Sequence, residues 1–175
     1  MKFMLKKTAK LNIRGYKLNF PRLFEKEKAL IANSLKEAEI HHVGSTAVKG
    51  LAGKGIIDIM MAVTSWKNEE EVVKKLRQLG FSHVHPKKKG EIFLSTRKRT
   101  AIGDFHIHLV KKGSMAYADL LAFRDYMRKH PERVRELSEL KYFWWKEAKE
   151  DRKKYGRFKG QHVKEILNSA KHENR

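Results

Sequence analysis

The stretch that most constrains this chain is 42–61, HVGSTAVKGLAGKGIIDIMM. It reads as a strand, a tight turn, a short helix or loop, and then a buried strand. Glycines at 44, 50, 53 and 55 punctuate it, and a Gly44-Ser45-Thr46 turn stands near its start. A single carboxylate, Asp58, lies inside the apolar run Ile56, Ile57, Ile59, Met60 and Met61. A carboxylate in such surroundings needs a partner, and a metal ion or another cation is the usual remedy.

Hydrophobic periodicity places the remaining elements around this stretch. Phe24, Ile31 and Leu35 recur at near-helical spacing, predicting a helix from Arg22 to near Glu39. A short strand, 40–43, then delivers the glycine turn, and 56–63 is a strand apolar enough to be buried on both faces. Residues 69–79 read as an amphipathic helix with Val72, Val73, Leu76 and Leu79 inward, opened by three acids and closed by Gly80. Strands are expected at 81–85, 91–97 and 105–110, with a Pro86–Gly90 turn between the first two. Three helices complete the chain. The first carries Leu120, Leu121, Phe123 and Met127, and the second opens at Pro131 with Val134, Leu137, Leu140 and Trp144 inward. The last carries Val163, Ile166, Leu167 and Ala170. This order predicts one α+β domain over 1–175, with a mixed sheet, flanking helices and a helical C-terminal half.

Charge narrows the partners. Forty Lys and Arg against twenty Asp and Glu leave +20, spread along the whole chain. Such a field attracts polyanions, RNA and nucleotides among them, although a lysine-rich solvated surface would give the same count. There are no cysteines, which removes disulfides, thiolate nucleophiles and cysteine-based zinc sites. The N-terminus lacks the apolar core of a secretory signal and no apolar run is long enough to span a bilayer, so a cytoplasmic protein without stable membrane insertion is expected.

The chemistry-bearing residues cluster in a few places. Gly53-Lys54 is followed by Gly55, so the stretch is not a P-loop, and it lacks the dinucleotide G-x-G-x-x-G pattern. Gly44-Ser45-Thr46 follows a strand and enters a helical turn, where hydroxyls and free N–H groups can hold an anion or simply cap the turn. His106 and His108 alternate on one strand face. Beside Asp58 they would form a metal triad suited to Zn, Fe, Mn or Ni, or else remain hydrogen-bonded histidines at the core edge. His42 is expected on the face of Gly44, near the site mouth, with His41 facing away. Lys54 can bind phosphate or pair with Asp58, and Arg124 can clamp phosphate or pair with Asp125. Lys141 and Lys159 read as solvated, and Trp144 as core. Lys87–Lys89 and Arg97–Arg99 form a basic patch if the strand between them returns as a hairpin.

The run His42-Val43-Gly44-Ser45-Thr46-Ala47-Val48-Lys49-Gly50-Leu51, continued through Lys54 to Ile56-Ile57-Asp58-Ile59, resembles the GrpB family's His-Ile-Gly-Ser-Thr-x-Val-Pro-Gly-Leu-x-x-Lys-Pro-Ile-Ile-Asp-Ile. Phe105–Val110, Phe123-Arg124-Asp125-Tyr126, Leu140-Lys141, Tyr155 and Lys159 look similar to later segments of that family. Gly-Ser followed by an Asp on the next strand also resembles the nucleotidyltransferase superfamily. The resemblance implies a nucleotidyltransferase-like mixed sheet and metal-dependent transfer of a nucleotidyl group from a nucleoside triphosphate to an unknown acceptor. Gly44, Ser45, Thr46 and His42 would meet the nucleotide, Asp58 a Mg or Mn ion, and Lys54 and Arg124 the developing charge. Two alternatives stand beside it: a non-catalytic nucleotide- or RNA-binding module on a degenerate transferase fold, and a metal-dependent phosphoesterase built on Asp58 and the histidines. Lys49 and Gly55 replace the family's prolines. Met60 stands where a polymerase-type enzyme carries its second carboxylate.

Overall fold

The apolar run 56–63 becomes a central strand because both of its faces find apolar cover. A computed structural model describes residues 11–96, 104–149 and 151–173. In chain order the elements are α1 (Phe20–Ser34), β1 (Glu39–Val43), a 3-10 turn (Ser45–Ala47), β2 (Ile56–Val63), α2 (Glu69–Gln78), β3 (His83–Val84), β4 (Glu91–Ser95), β5 (Asp104–Lys111), α3 (Met115–Lys129), α4 (Pro131–Ala148) and α5 (Arg152–Glu173). The strands form one mixed sheet in the order β1-β2-β5-β4-β3. Among the described residues the β2–β5 pair alone is parallel. The architecture is the expected α+β plan.

Strand alternation sorts the β2 side chains between two cores. Ile57, Ile59 and Met61 join Ile107 and Leu109 of β5 under Phe20, Phe24 and Ile31 of α1 and Leu76 of α2. On the other face Val43, Met60, Ala62 and Val110 meet Ala116, Tyr117, Leu120 and Leu121 of α3. A third cluster joins Leu11, Ile13, Val48, Leu51 and Ala52 to Met127, Val134, Leu137, Trp144, Tyr155 and Ile166, so the helical half packs on the loop that precedes β2. Trp144 lies in this core as expected, and Trp145 donates from Nε1 to the Leu11 carbonyl at 2.9 Å.

Several boundaries differ from the expected ones. Helix α1 includes Pro21 in its first turn and ends at Ser34, five residues before Glu39. Asn33 and Ser34 are weak helix formers, because their side chains compete for backbone groups. Strand β3 shrinks to two residues because Phe81 turns fully inward, and its N–H closes α2 by reaching the Leu76 carbonyl. Arg97–Arg99 lie outside the described residues, so the basic patch is represented there by Lys87–Lys89, of which Lys87 pairs with Glu69. Among the described residues no helix is long and apolar enough to cross a membrane.

Candidate functional site

The site begins where β1 runs out. Gly44 adopts φ 70° and ψ −165°, a region open essentially to glycine alone. A β-carbon there would lie 2.4 Å from Asp58 Oδ2, so the turn rests directly on the carboxylate. Gly53 plays a matching part beneath Ser45, since a β-carbon at Gly53 would lie 2.2 Å from Ser45 Oγ. Gly53 also exchanges two backbone hydrogen bonds with Arg14, at 2.8 and 2.9 Å.

The Thr46 hydroxyl donates to the Ile56 carbonyl at 3.0 Å. Its one proton is thereby used, so the 3.0 Å contact with His42 Nε2 makes that nitrogen the donor. His42 is buried and stacks on Phe24, ring centroids 4.6 Å apart and nearly parallel. Burial first, and then the Arg128 and Arg124 charges, lower its pKa to about 4 against the pull of Asp58. The expected position of His42 at the site mouth is corrected. Val43 pairs with Asp58 and His42 with Ile59, so His42 points to the α1 side and His41 shares the face of Asp58. Thr46, 1% exposed, is a bracket between β1 and β2 and does not face solvent as a phosphate ligand.

Parallel pairing sets His106 beside Asp58 and His108 beside Met60. His106 Nδ1 donates to Asp58 Oδ1 at 3.2 Å, and His108 Nε2 lies 3.7 Å from the same oxygen. The other His108 nitrogen, Nδ1, reaches Glu91 Oε1 at 2.6 Å. Burial works against charge on His108, but its interactions with Asp58 and Glu91 prevail and raise its pKa to about 9, so it is an imidazolium at neutral pH. Burial likewise works to raise the Asp58 pKa. The interactions with His106 and His108 outweigh it and hold the carboxyl well below the usual range. Glu91 was not among the residues expected at the site. Its only signal is an acid opening an apolar strand, and β4–β5 pairing is needed to carry it toward His108.

The three residues expected to form a metal triad do converge, but as a hydrogen-bonded group. Both His108 nitrogens face carboxylates, and among the described residues no three His, Cys, Asp or Glu side chains are placed to hold a metal ion. Met60 is fully buried beneath α3 and offers no oxygen. The carboxylate pair that a two-magnesium centre requires is therefore missing from β2, and the residues present do not fit that group.

Cations gather on the remaining side. Lys141 of α4 is 4% exposed, and its Nζ donates to the Ala52 carbonyl at 2.7 Å. Ser138 Oγ accepts from the Ala52 N–H at 3.0 Å, so one helical turn of α4 satisfies both polar groups of a buried residue. Burial, and then the Lys159 charge, lower the Lys141 pKa to about 7, with Asp58 opposing and Lys54 adding to the fall. Lys54 responds to the same field: burial, Lys159 and Arg152 lower its pKa while Asp58 raises it. Its Nζ lies 5.9 Å from the centre of the Tyr155 ring. The reading of Lys141 as solvated is corrected, because the tertiary contact of α4 with the 48–55 loop buries it. Arg124 is committed elsewhere. It grips Asp125 through two bonds, at 2.7 and 3.0 Å, and reaches the His42 carbonyl at 3.4 Å.

A family model described as GrpB protein matches residues 10–169. The chain belongs to the GrpB family. The glutamate-rich protein GrpB of Alkalihalophilus pseudofirmus is 33% identical over 156 residues, covering 86% of this chain and 90% of that one. A UPF0157 protein of Pseudomonas aeruginosa is 33% identical over 147 residues, covering 83% of this chain and 61% of that one. The crystal structure of GrpB from Enterococcus faecalis superposes with a TM-score of 0.78 at 23% identity, over 91% of this chain and 96% of that one. A Cid1 poly(U) polymerase structure with MgGTP bound aligns over 65% of this chain and 39% of that one, at 11% identity and a TM-score of 0.47.

Proposed function

We propose that this GrpB-family chain binds the phosphates of a nucleotide beside Asp58, as a binding module on a nucleotidyltransferase-like frame. The observation that carries this reading is that Lys54 and Lys141 lie within electrostatic reach of Asp58 and Lys159 within reach of both lysines, while Met60 fills the place of a second carboxylate with core. Asp58 already accepts from His106 and lies beside the His108 imidazolium, so the lysines remain available to an anion. Gly44 brings backbone over the carboxylate, and Ser45 stands beside it as the hydroxyl of that turn. An RNA strand offers the same phosphates, and the +20 charge favours either ligand. Calorimetric titration with ATP at two salt concentrations tests the reading. Binding should weaken with salt and fall about tenfold or more in a Lys54→Ala/Lys159→Ala variant. Affinity unchanged in that variant, or no binding at millimolar ATP, would sink it.

Metal-dependent nucleotidyl transfer on a single ion at Asp58, not on the two-magnesium centre that these residues do not fit, is the second reading. It draws on the 22% exposure of the Asp58 side chain, which leaves a carboxylate open to a ligand. Release of pyrophosphate from a nucleoside triphosphate with Mg or Mn, lost in Asp58→Asn, would establish it. Hydrolysis of a phosphoester with Zn or Mn, lost in the same variant, would instead mark a phosphoesterase.

A further inference from the structure

The open part of the sheet carries a phenylalanine ring that the phosphate site does not use. Phe93 of β4 pairs across the sheet with His108, and Ser95 pairs with His106. Its ring centre lies 4.7 Å from that of His106 and 5.3 Å from that of His108, the two imidazoles that touch Asp58. On its other side His85 lies 5.3 Å away. The apolar cluster beneath α3 draws on β1, β2 and β5 and takes nothing from β4. Phe93 is accordingly only half-buried, although it is a large apolar ring on a strand whose neighbours Ile92 and Leu94 are core.

From this arrangement we infer that Phe93, flanked by His85 and His106, is the stacking platform for the base of the nucleotide whose phosphates sit beside Asp58. The inference rests on the phosphate reading above and names the subsite that reading lacks. The lysines stand on the 48–55 loop, α4 and α5, whereas Phe93 stands on β4. Two strand spacings separate β4 from β2, about 10 Å. That is the order of the distance between the base and the outer phosphates of an extended nucleoside triphosphate. A ring face contacts every base through its π surface, so the platform adds affinity with little base preference.

The test titrates wild type, Phe93→Leu and Phe93→Trp with ATP and with inorganic tripolyphosphate, which has the phosphates and no base. Wild type should bind ATP about tenfold more tightly than tripolyphosphate. Phe93→Leu should lose that advantage while binding tripolyphosphate as before, and Phe93→Trp should keep it. Unchanged tripolyphosphate affinity shows that the phosphate side of each variant is intact. Equal wild-type affinity for both probes overturns the platform and leaves the phosphate reading standing, as does an ATP advantage that survives in Phe93→Leu. Failure of wild type to bind either probe removes both.

Discussion

Gly44 and Asp58 are built against each other: the space that a β-carbon on Gly44 would occupy lies 2.4 Å from Asp58 Oδ2. The glycine is needed twice, for a backbone conformation that other residues avoid and for the room it leaves the carboxylate. Gly44→Ala should therefore destabilise the fold by ~2 kcal/mol or more, read as a lowered denaturation midpoint. Measured against Asp58→Gly alone, the cost of Gly44→Ala should lose the part due to the clash and keep the part due to backbone strain. A cost that vanished in that background would show that the backbone carries no strain there.

Met60 is a core residue and not merely a vacant ligand position. It is fully buried with Val43, Ala62 and Val110 under α3. Met60→Asp should cost more than ~3 kcal/mol, because it places an unpaired charge in that cluster. Met60→Leu should cost less than ~1.5 kcal/mol. Chemical denaturation of the two variants checks this, and a Met60→Asp protein as stable as wild type would show that the cluster admits water or a counter-ion.

His42 and His108 should titrate on opposite sides of neutrality. Burial holds His42 at about 4, so between pH 6.5 and 4 the unfolded chain takes up the proton and stability falls as the solution is acidified. His108 is held at about 9 between Asp58 and Glu91. Its contribution is fully present below pH 6.5 and is lost as pH rises through 9. A side-chain NMR titration should find His42 as the neutral Nε2–H tautomer down to about pH 4 and His108 as a cation up to about pH 9. A midpoint near 6.5 for His108 would mean that the carboxylate sandwich does not form in solution.

Lys141 gives a third pH signature, with the opposite slope to His108. Its pKa falls from 10.5 to about 7 on folding, so above pH 7 the unfolded chain holds the proton more tightly and this group's contribution to stability rises with pH. Lys141→Met should lack that rise between pH 7 and 10. It should also cost about 1–3 kcal/mol, because the buried Ala52 carbonyl loses its donor. Denaturation midpoints of the two proteins across this range separate the effects.

Much of the frame was legible locally. An eight-residue apolar run predicts a strand buried on both faces, and β2 is one. Gly80 and Pro131 mark a helix end and a helix start through backbone rules that need no tertiary context. Where local rules misled, a distant contact had decided the matter. His42 and His41 exchange faces because the face of β1 is set by which of its residues pairs with Asp58. Lys141 looked like any lysine on a basic helix until α4 docked on the loop at Ala52.

The sequence by itself determined the order of elements, the glycine turn and the need of Asp58 for a partner. Each of these follows from short-range sterics or from the free energy of burying one residue type. The tertiary structure alone decided which partner Asp58 takes. Strand β5 lies parallel to β2 only after the chain has passed through α2, β3 and β4, and its register then sets His106 beside Asp58 and His108 within reach of Glu91. Register between strands far apart in sequence is fixed by the packing of both sheet faces, and a one-residue slip would have turned the histidines away from the carboxylate.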